Sequence, residues 1–184
     1  MTFIEDPVVV LTEEEMDFAD LIGRRREGQH DKDEPHKHGF VGDGLENHIR
    51  GARGELAVAK YLGVYWNGNV GKTKLPDVGP YQMRAGSQPS HRLILHKTDK
   101  DEDIAILPTG PAPQFHIRGW CYCREGKLQK YWEDPVGKRA AFFVPQRALR
   151  PIVTLPTEPL RKWLRERPGF YSDVARSRTE LETA

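Results

Sequence analysis

In the stretch LPDVGPYQMR, residues 75–84, an acid, an amide and a guanidinium fall within eight positions: Asp77, Gln82 and Arg84. Pro76 and the run VGP predict a tight reversal just after Asp77, and Tyr81 to Arg84 has the composition of a strand. Alternation along that strand puts Gln82 and Arg84 on one face, with Tyr81 and Met83 on the other. Asp77, Gln82 and Arg84 can therefore converge on one point. Hydrolysis of a phosphodiester calls for such a set. It needs a hard cation held by oxygens to polarise the phosphoryl group and acidify a water, with a positive group beside it. On this expectation Asp77 is the central ligand, Gln82 and the Met83 carbonyl add oxygens, and Arg84 neutralises developing charge.

Upstream, GARGELAVAKYL strands a glutamate among small residues. Ala52, Glu55, Ala59 and Leu62 are spaced 3, 4 and 3 apart, which puts all four on one side of a helix. Glu55 thus shares the packed face. Gly51 and Gly54 suggest that a neighbouring element comes close to this helix. An unpaired buried carboxylate costs several kcal/mol, so Glu55 is expected to face a cation or a metal. Arg50, Arg53 and Arg84 are the expected ion-pair partners, and a metal held by the following sheet is the functional alternative.

These residues must be positioned by the rest of the chain. Thr12 followed by Glu15 is a capping-box pattern that opens a first helix, with Phe18, Leu21 and Ile22 as its apolar stripe and Arg24, Arg25 and Arg26 near its end. Cations there suit the helix dipole, whether as a solvated end or as phosphate contacts. Residues 29–44 read as a mobile loop, and its H-x-H pair, His36 and His38, lacks the preorganisation a metal needs. A second helix spans 45–62, stopped by Gly63. Strand composition then recurs in VYWN, PYQMR, HRLILH, DIAIL, QFHIRGWCYC, QKYW and AAFFV. A last helix runs from Glu158 to Arg167, stopped by Pro168, and the tail 173–184 is expected to fray. The expected fold is one α+β domain over 1–184, with N-terminal helices packed on a mixed, mainly antiparallel sheet.

Composition narrows the classes. The chain has 184 residues, enough for one full core, and its net charge of +1 advertises no polyanionic partner, so any nucleic-acid footprint must be local. No apolar run approaches the roughly 18 residues of a membrane span, and the N-terminus lacks a basic leader, so a cytoplasmic location is expected. Cys121 and Cys123 stand two apart, too close for an unstrained bridge, and read as reduced thiols.

The order of these pieces resembles a known family. A helix glutamate, then P-D, then a short strand ending in (D/E)-x-K is the pattern of the PD-(D/E)xK nuclease superfamily, the restriction-endonuclease-like fold. More narrowly, GxxGExAVAxYLG, PDVGxYxxR, RLILHKTDKDEDIAIL, FHIRGWCYC and FFVPQRAL resemble small phage-encoded proteins of that superfamily, over about residues 48–155. The resemblance implies a Mg2+- or Mn2+-dependent nuclease, in the host cytoplasm if phage-encoded, with Glu55 as the helix acid and Asp77 as the main metal ligand. Positions 82 and 84 correspond to the second acid and the lysine. Both depart: Gln82 carries no charge for the metal, and Arg84 stabilises an anion but cannot act as a general base.

Further residues join this expectation. Arg24, Arg25, Arg53, Lys97, Arg118 and Trp120 are candidates to contact nucleic acid, DNA first, with Trp120 stacking on a base. Lys97 is also a candidate for the missing lysine. The acidic run KTDKDED, residues 97–103, reads as a charged turn or as a source of compensating ligands. His91 and His96 read as ordinary strand residues or as proton donors. The rival reading is a non-catalytic nucleic-acid-binding or protein-interaction module on the same fold, with Glu55 and Arg84 in a buried salt bridge; a homodimer is left open.

Overall fold

A computed structural model describes residues 5–33, 44–71, 75–135, 137 and 140–167. The predicted capping box forms: the Thr12 N–H donates to Glu15 Oε2 at 2.7 Å and the Glu15 N–H to Thr12 Oγ1 at 3.3 Å. From it runs helix α1, Glu13–Asp33, so the helix continues through 29–33, where a loop was expected. Its buried stripe is Ala19, Ile22 and Gly23, one position off the expected one; Phe18 and Leu21 are exposed. Helix α2, Gly44–Leu62, ends as expected at Gly63, whose positive φ lets the Val64 N–H reach back to the Ala59 carbonyl. His36, His38 and the tail 173–184 lie outside the described residues.

Seven strands follow in two sheets. The first holds β1 (Val8–Val10), β5 (Gln114–Tyr122), β4 (Ile104–Thr109) and β2 (Gln82–Met83), in that order. The second holds β3 (Leu93–Leu95), β7 (Ala141–Val144) and β6 (Trp132–Glu133). Every pairing is antiparallel except β2 with β4. The expected α+β class with mainly antiparallel pairing is therefore found. VYWN is instead irregular, β1 was not foreseen, and Cys123–Gly126 turns into a short helix, α3. The chain closes with α4, Glu158–Arg165, close to the expected last helix. Among the described residues no helix is long and apolar enough to cross a membrane.

Strand β4 explains the layering, because all six of its residues are buried. Its alternation sends Ile104 and Ile106 to a core under α1 and α2, and Ala105 and Leu107 to a second core against β3 and β7. A strand buried on both faces reads as a continuous apolar run, as DIAIL does. Cys121 and Cys123 belong to the second core as free thiols, with burial first among the causes that push both up to about 12.

Helix α2 comes down on the β2–β4 edge at Gly54. A Cβ there would stand 2.5 Å from the Ala85 Cβ and 3.2 Å from Pro108 Cγ, whereas one at Gly51 would meet nothing within 4 Å. The close approach expected of both glycines belongs to Gly54 alone. It brings the next residue, Glu55, to the start of β2. Gly54→Ala is therefore expected to lower stability by about 1–3 kcal/mol through overpacking, despite its better helix propensity. Gly51→Ala should raise it by up to about 1 kcal/mol. Urea midpoints of the two variants check this contrast.

Candidate active site

Glu55 is 5% exposed, and its carboxylate is held from two sides. Arg26 donates Nη1 to Oε1 at 2.6 Å and Nη2 to Oε2 at 2.7 Å, a planar fork matching a planar acid. Trp66 Nε1 donates to Oε2 at 3.1 Å. Arg26 is itself fixed by donating Nε to the Asn69 carbonyl at 2.8 Å. Burial works against its charge, but the bond to Glu55 and the fields of Glu55 and Asp77 outweigh that and hold its pKa above the ordinary value.

The expected partners of Glu55 are corrected accordingly. Arg53 forks onto Asp20 of α1 with both bonds at 2.6 Å, Arg50 bonds Asn47, and Arg84 lies elsewhere. Arg26 extends the buried stripe of α1, since 19, 22, 23 and 26 are spaced 3, 1 and 3 apart. That spacing was the available signal, masked by two arginines beside it.

The reversal after Asp77 forms as predicted. The Asp77 and Val78 N–H groups both donate to the Tyr81 carbonyl, at 3.0 and 3.1 Å, and Gly79 takes φ +56. This turn folds the Asp77 side chain back along β2, where Oδ2 accepts the Met83 N–H at 2.7 Å and lies 3.6 Å from Arg84 Nη1. Burial, then the charge of Glu55, pushes the Asp77 carboxyl up to about 6; the Met83 N–H, Arg84 and Arg26 only partly offset them. The two acids thus lie in one electrostatic field although 22 positions separate them in the chain.

Gln82 and Arg84 share a face as expected, but it meets the acidic turn. Gln82 hydrogen-bonds Asp103. Arg84 donates Nη2 to Asp99 Oδ1 at 3.0 Å and Nη1 to the Met83 carbonyl at 2.8 Å. Lys127 ties the same turn down through the Asp99 carbonyl at 2.6 Å and Asp101 at 2.5 Å. The run KTDKDED is therefore a turn docked on β2, and Gln82 points to Asp103 rather than completing a shell around Asp77.

The candidate nucleic-acid contacts divide. Arg24 and Arg25 are exposed. Lys97 is exposed but lies 4.4 Å from the centre of the Trp132 ring, away from the lysine role. Arg118 is held by Thr109 at 2.7 Å and Asp6 at 3.0 Å. Trp120 is 3% exposed with its Nε1 on Thr154, so it has no face for a base. His91 is held below its ordinary pKa by burial and by Arg50, and its Nδ1 accepts the Gln88 N–H, so it serves as an acceptor.

Oxygen-only donors, two of them carboxylates, suit a hard divalent ion such as Mg2+. Among the described residues, however, no three His, Cys, Asp or Glu side chains form a metal-binding cluster. The donor chemistry fits, but both Glu55 oxygens are engaged by Arg26, so a cation would displace that guanidinium.

With a folded pKa of about 6 against an ordinary 3.8, Asp77 stays protonated on folding while the unfolded chain ionises. Stability present below pH 3.8 is therefore lost as pH rises through about 6. Asp77→Asn, which keeps an acceptor for the Met83 N–H, should remove that loss and stabilise the protein above pH 6 by on the order of 1–2 kcal/mol. Chemical denaturation of both proteins across this pH range measures the difference. Comparison of the chain with protein-family models, with curated proteins and with solved structures finds no match.

Proposed function

We propose that the protein hydrolyses nucleic-acid phosphodiesters with the help of a divalent ion, on a restriction-endonuclease-like core, with DNA as the first candidate substrate. The observation that carries this reading is the juxtaposition of Glu55 and Asp77, strong enough for one carboxylate to raise the pKa of the other. Structural ion pairs rarely put two acids in one buried field, whereas sites that bind Mg2+ or Mn2+ do so routinely. Asp77 and Glu55 would hold the ion. When bound, it supplies phosphoryl polarisation and a more acidic water.

The chain's own residues supply the remainder. Arg84, anchored by Asp99 beside Asp77, adds positive charge where the phosphoryl oxygens gain negative charge. Its guanidinium stays protonated, so proton removal from water falls to another group. Arg26 neutralises Glu55 when no cation does, which keeps a buried carboxylate tolerable in the resting protein.

A specific observation favours a second reading. The Arg26–Glu55–Trp66 arrangement satisfies the acid fully, as a purely structural pair in a non-catalytic module would. Mn2+ calorimetry on wild type, Arg26→Met and Asp77→Asn separates the two. The hydrolase reading expects an ion to bind wild type, to bind Arg26→Met more tightly, and to be lost with Asp77→Asn. Absence of binding in all three supports the module. Beside it, plasmid incubated with Mg2+ or Mn2+ should be cut by wild type and left intact by Asp77→Asn and Glu55→Gln. The amide at 55 is preferred to alanine because it retains a partner for the buried Arg26. Cutting that is equal in all samples would retire the enzyme.

A further inference from the structure

Beside Asp77 a cleft of ≈ 430 Å³ opens between the loop 65–79 and helix α4. Its walls include Tyr65, Trp66, Asn67, Asp77, Trp163 and Arg167. Three aromatic side chains and an amide around one carboxylate are an unusual lining for a surface cleft, which is more often aliphatic and polar. Tyr65 is 52% exposed, and the Arg167 guanidinium lies 4.9 Å from the centre of the Trp163 ring. Trp66 spends its N–H on Glu55 and so connects the cleft to the buried acid.

From this lining we infer that the cleft seats one unpaired nucleobase of a single-stranded nucleic acid, with the adjoining phosphate reaching Asp77. The inference rests on the reading of Glu55 and Asp77 as a phosphodiester site, and it names the substrate form. Aromatic rings accept any base by its π-face. An amide such as that of Asn67 both donates and accepts, as the Watson–Crick edge of a base requires, and that edge is open only in an unpaired nucleotide. The cleft is within the size range of small-molecule sites, so a single base enters where a stacked duplex does not. Arg167, exposed beside Trp163 and 3.9 Å from Glu166, puts a cation at the rim for a neighbouring phosphate.

Anisotropy titrations of a labelled thymidine oligonucleotide, single-stranded and as a duplex with its complement, test this in EDTA so that no turnover intervenes. The full chain is used as wild type, Tyr65→Ala, Trp163→Ala and Trp163→Phe. The single strand should bind at least about tenfold more tightly than the duplex, and each alanine variant should lose about tenfold. Trp163→Phe, which keeps a ring, should retain most of the affinity, and Tyr65→Ala changes an exposed position that folding does not need. Equal affinity for both forms, or single-strand binding unchanged in both alanine variants, overturns the inference. The plasmid assay tells the two proposals apart. Cutting that depends on Asp77, with cleft variants binding normally, retires the cleft alone; ring-dependent binding without cutting retires the hydrolase alone.

Discussion

A buried carboxylate on α2 has to be neutralised, and much of the arrangement around the candidate site answers that requirement. Glu55 cannot remain alone at 5% exposure, because desolvation of an unpaired carboxylate would outweigh most of the stability of a domain this size. Arg26 meets it from α1, Trp66 from the loop after α2, and the Asn69 carbonyl holds the arginine in place. Three segments that share little apolar contact at this point are thereby fixed to one another. The Arg53–Asp20 fork repeats the linkage between the two helices nearer the surface.

The same economy extends to the sheet. Gly54 lets α2 settle against Ala85 and Pro108, so Glu55 arrives where the Asp77 turn folds back onto β2. Asp77 then carries an unfavourable position that the turn enforces through its hydrogen bond to the Met83 N–H. A strained electrostatic position that local geometry holds in place is the usual mark of a site kept for chemistry rather than for stability. Arg84 relieves it only partly, because its other side is committed to Asp99.

Two of the four catalytic candidates therefore sit together, and two are drawn toward the acidic turn. Gln82 to Asp103 and Arg84 to Asp99 make the run KTDKDED a structural partner of β2. Trp120, a candidate for base stacking, is a core residue, while Trp66 and Trp163 line the cleft next to the acids. Ring type alone could not separate them: a tryptophan fills a core or a cleft equally well, and only the packing of its neighbours decides.

The residues by themselves determined what depends on short-range spacing. The Thr12–Glu15 cap, the Gly63 stop, the turn after Asp77, the doubly buried DIAIL strand and the placement of Glu55 on a packed face all follow from periods of 3.6 or 2 and from turn chemistry. Each involves neighbours within about one helical turn or hairpin. What tertiary structure alone decided is who meets whom across long separations. Which arginine reaches Glu55, which acids receive Gln82 and Arg84, and which tryptophan stays accessible depend on the angle at which α1 crosses α2 and on how the 97–103 turn docks. Those are set by the fit of whole faces, and a shift of one residue along a helix rotates a side chain by about 100°. That is why Arg26, with two identical neighbours, could be chosen only once α1 was packed.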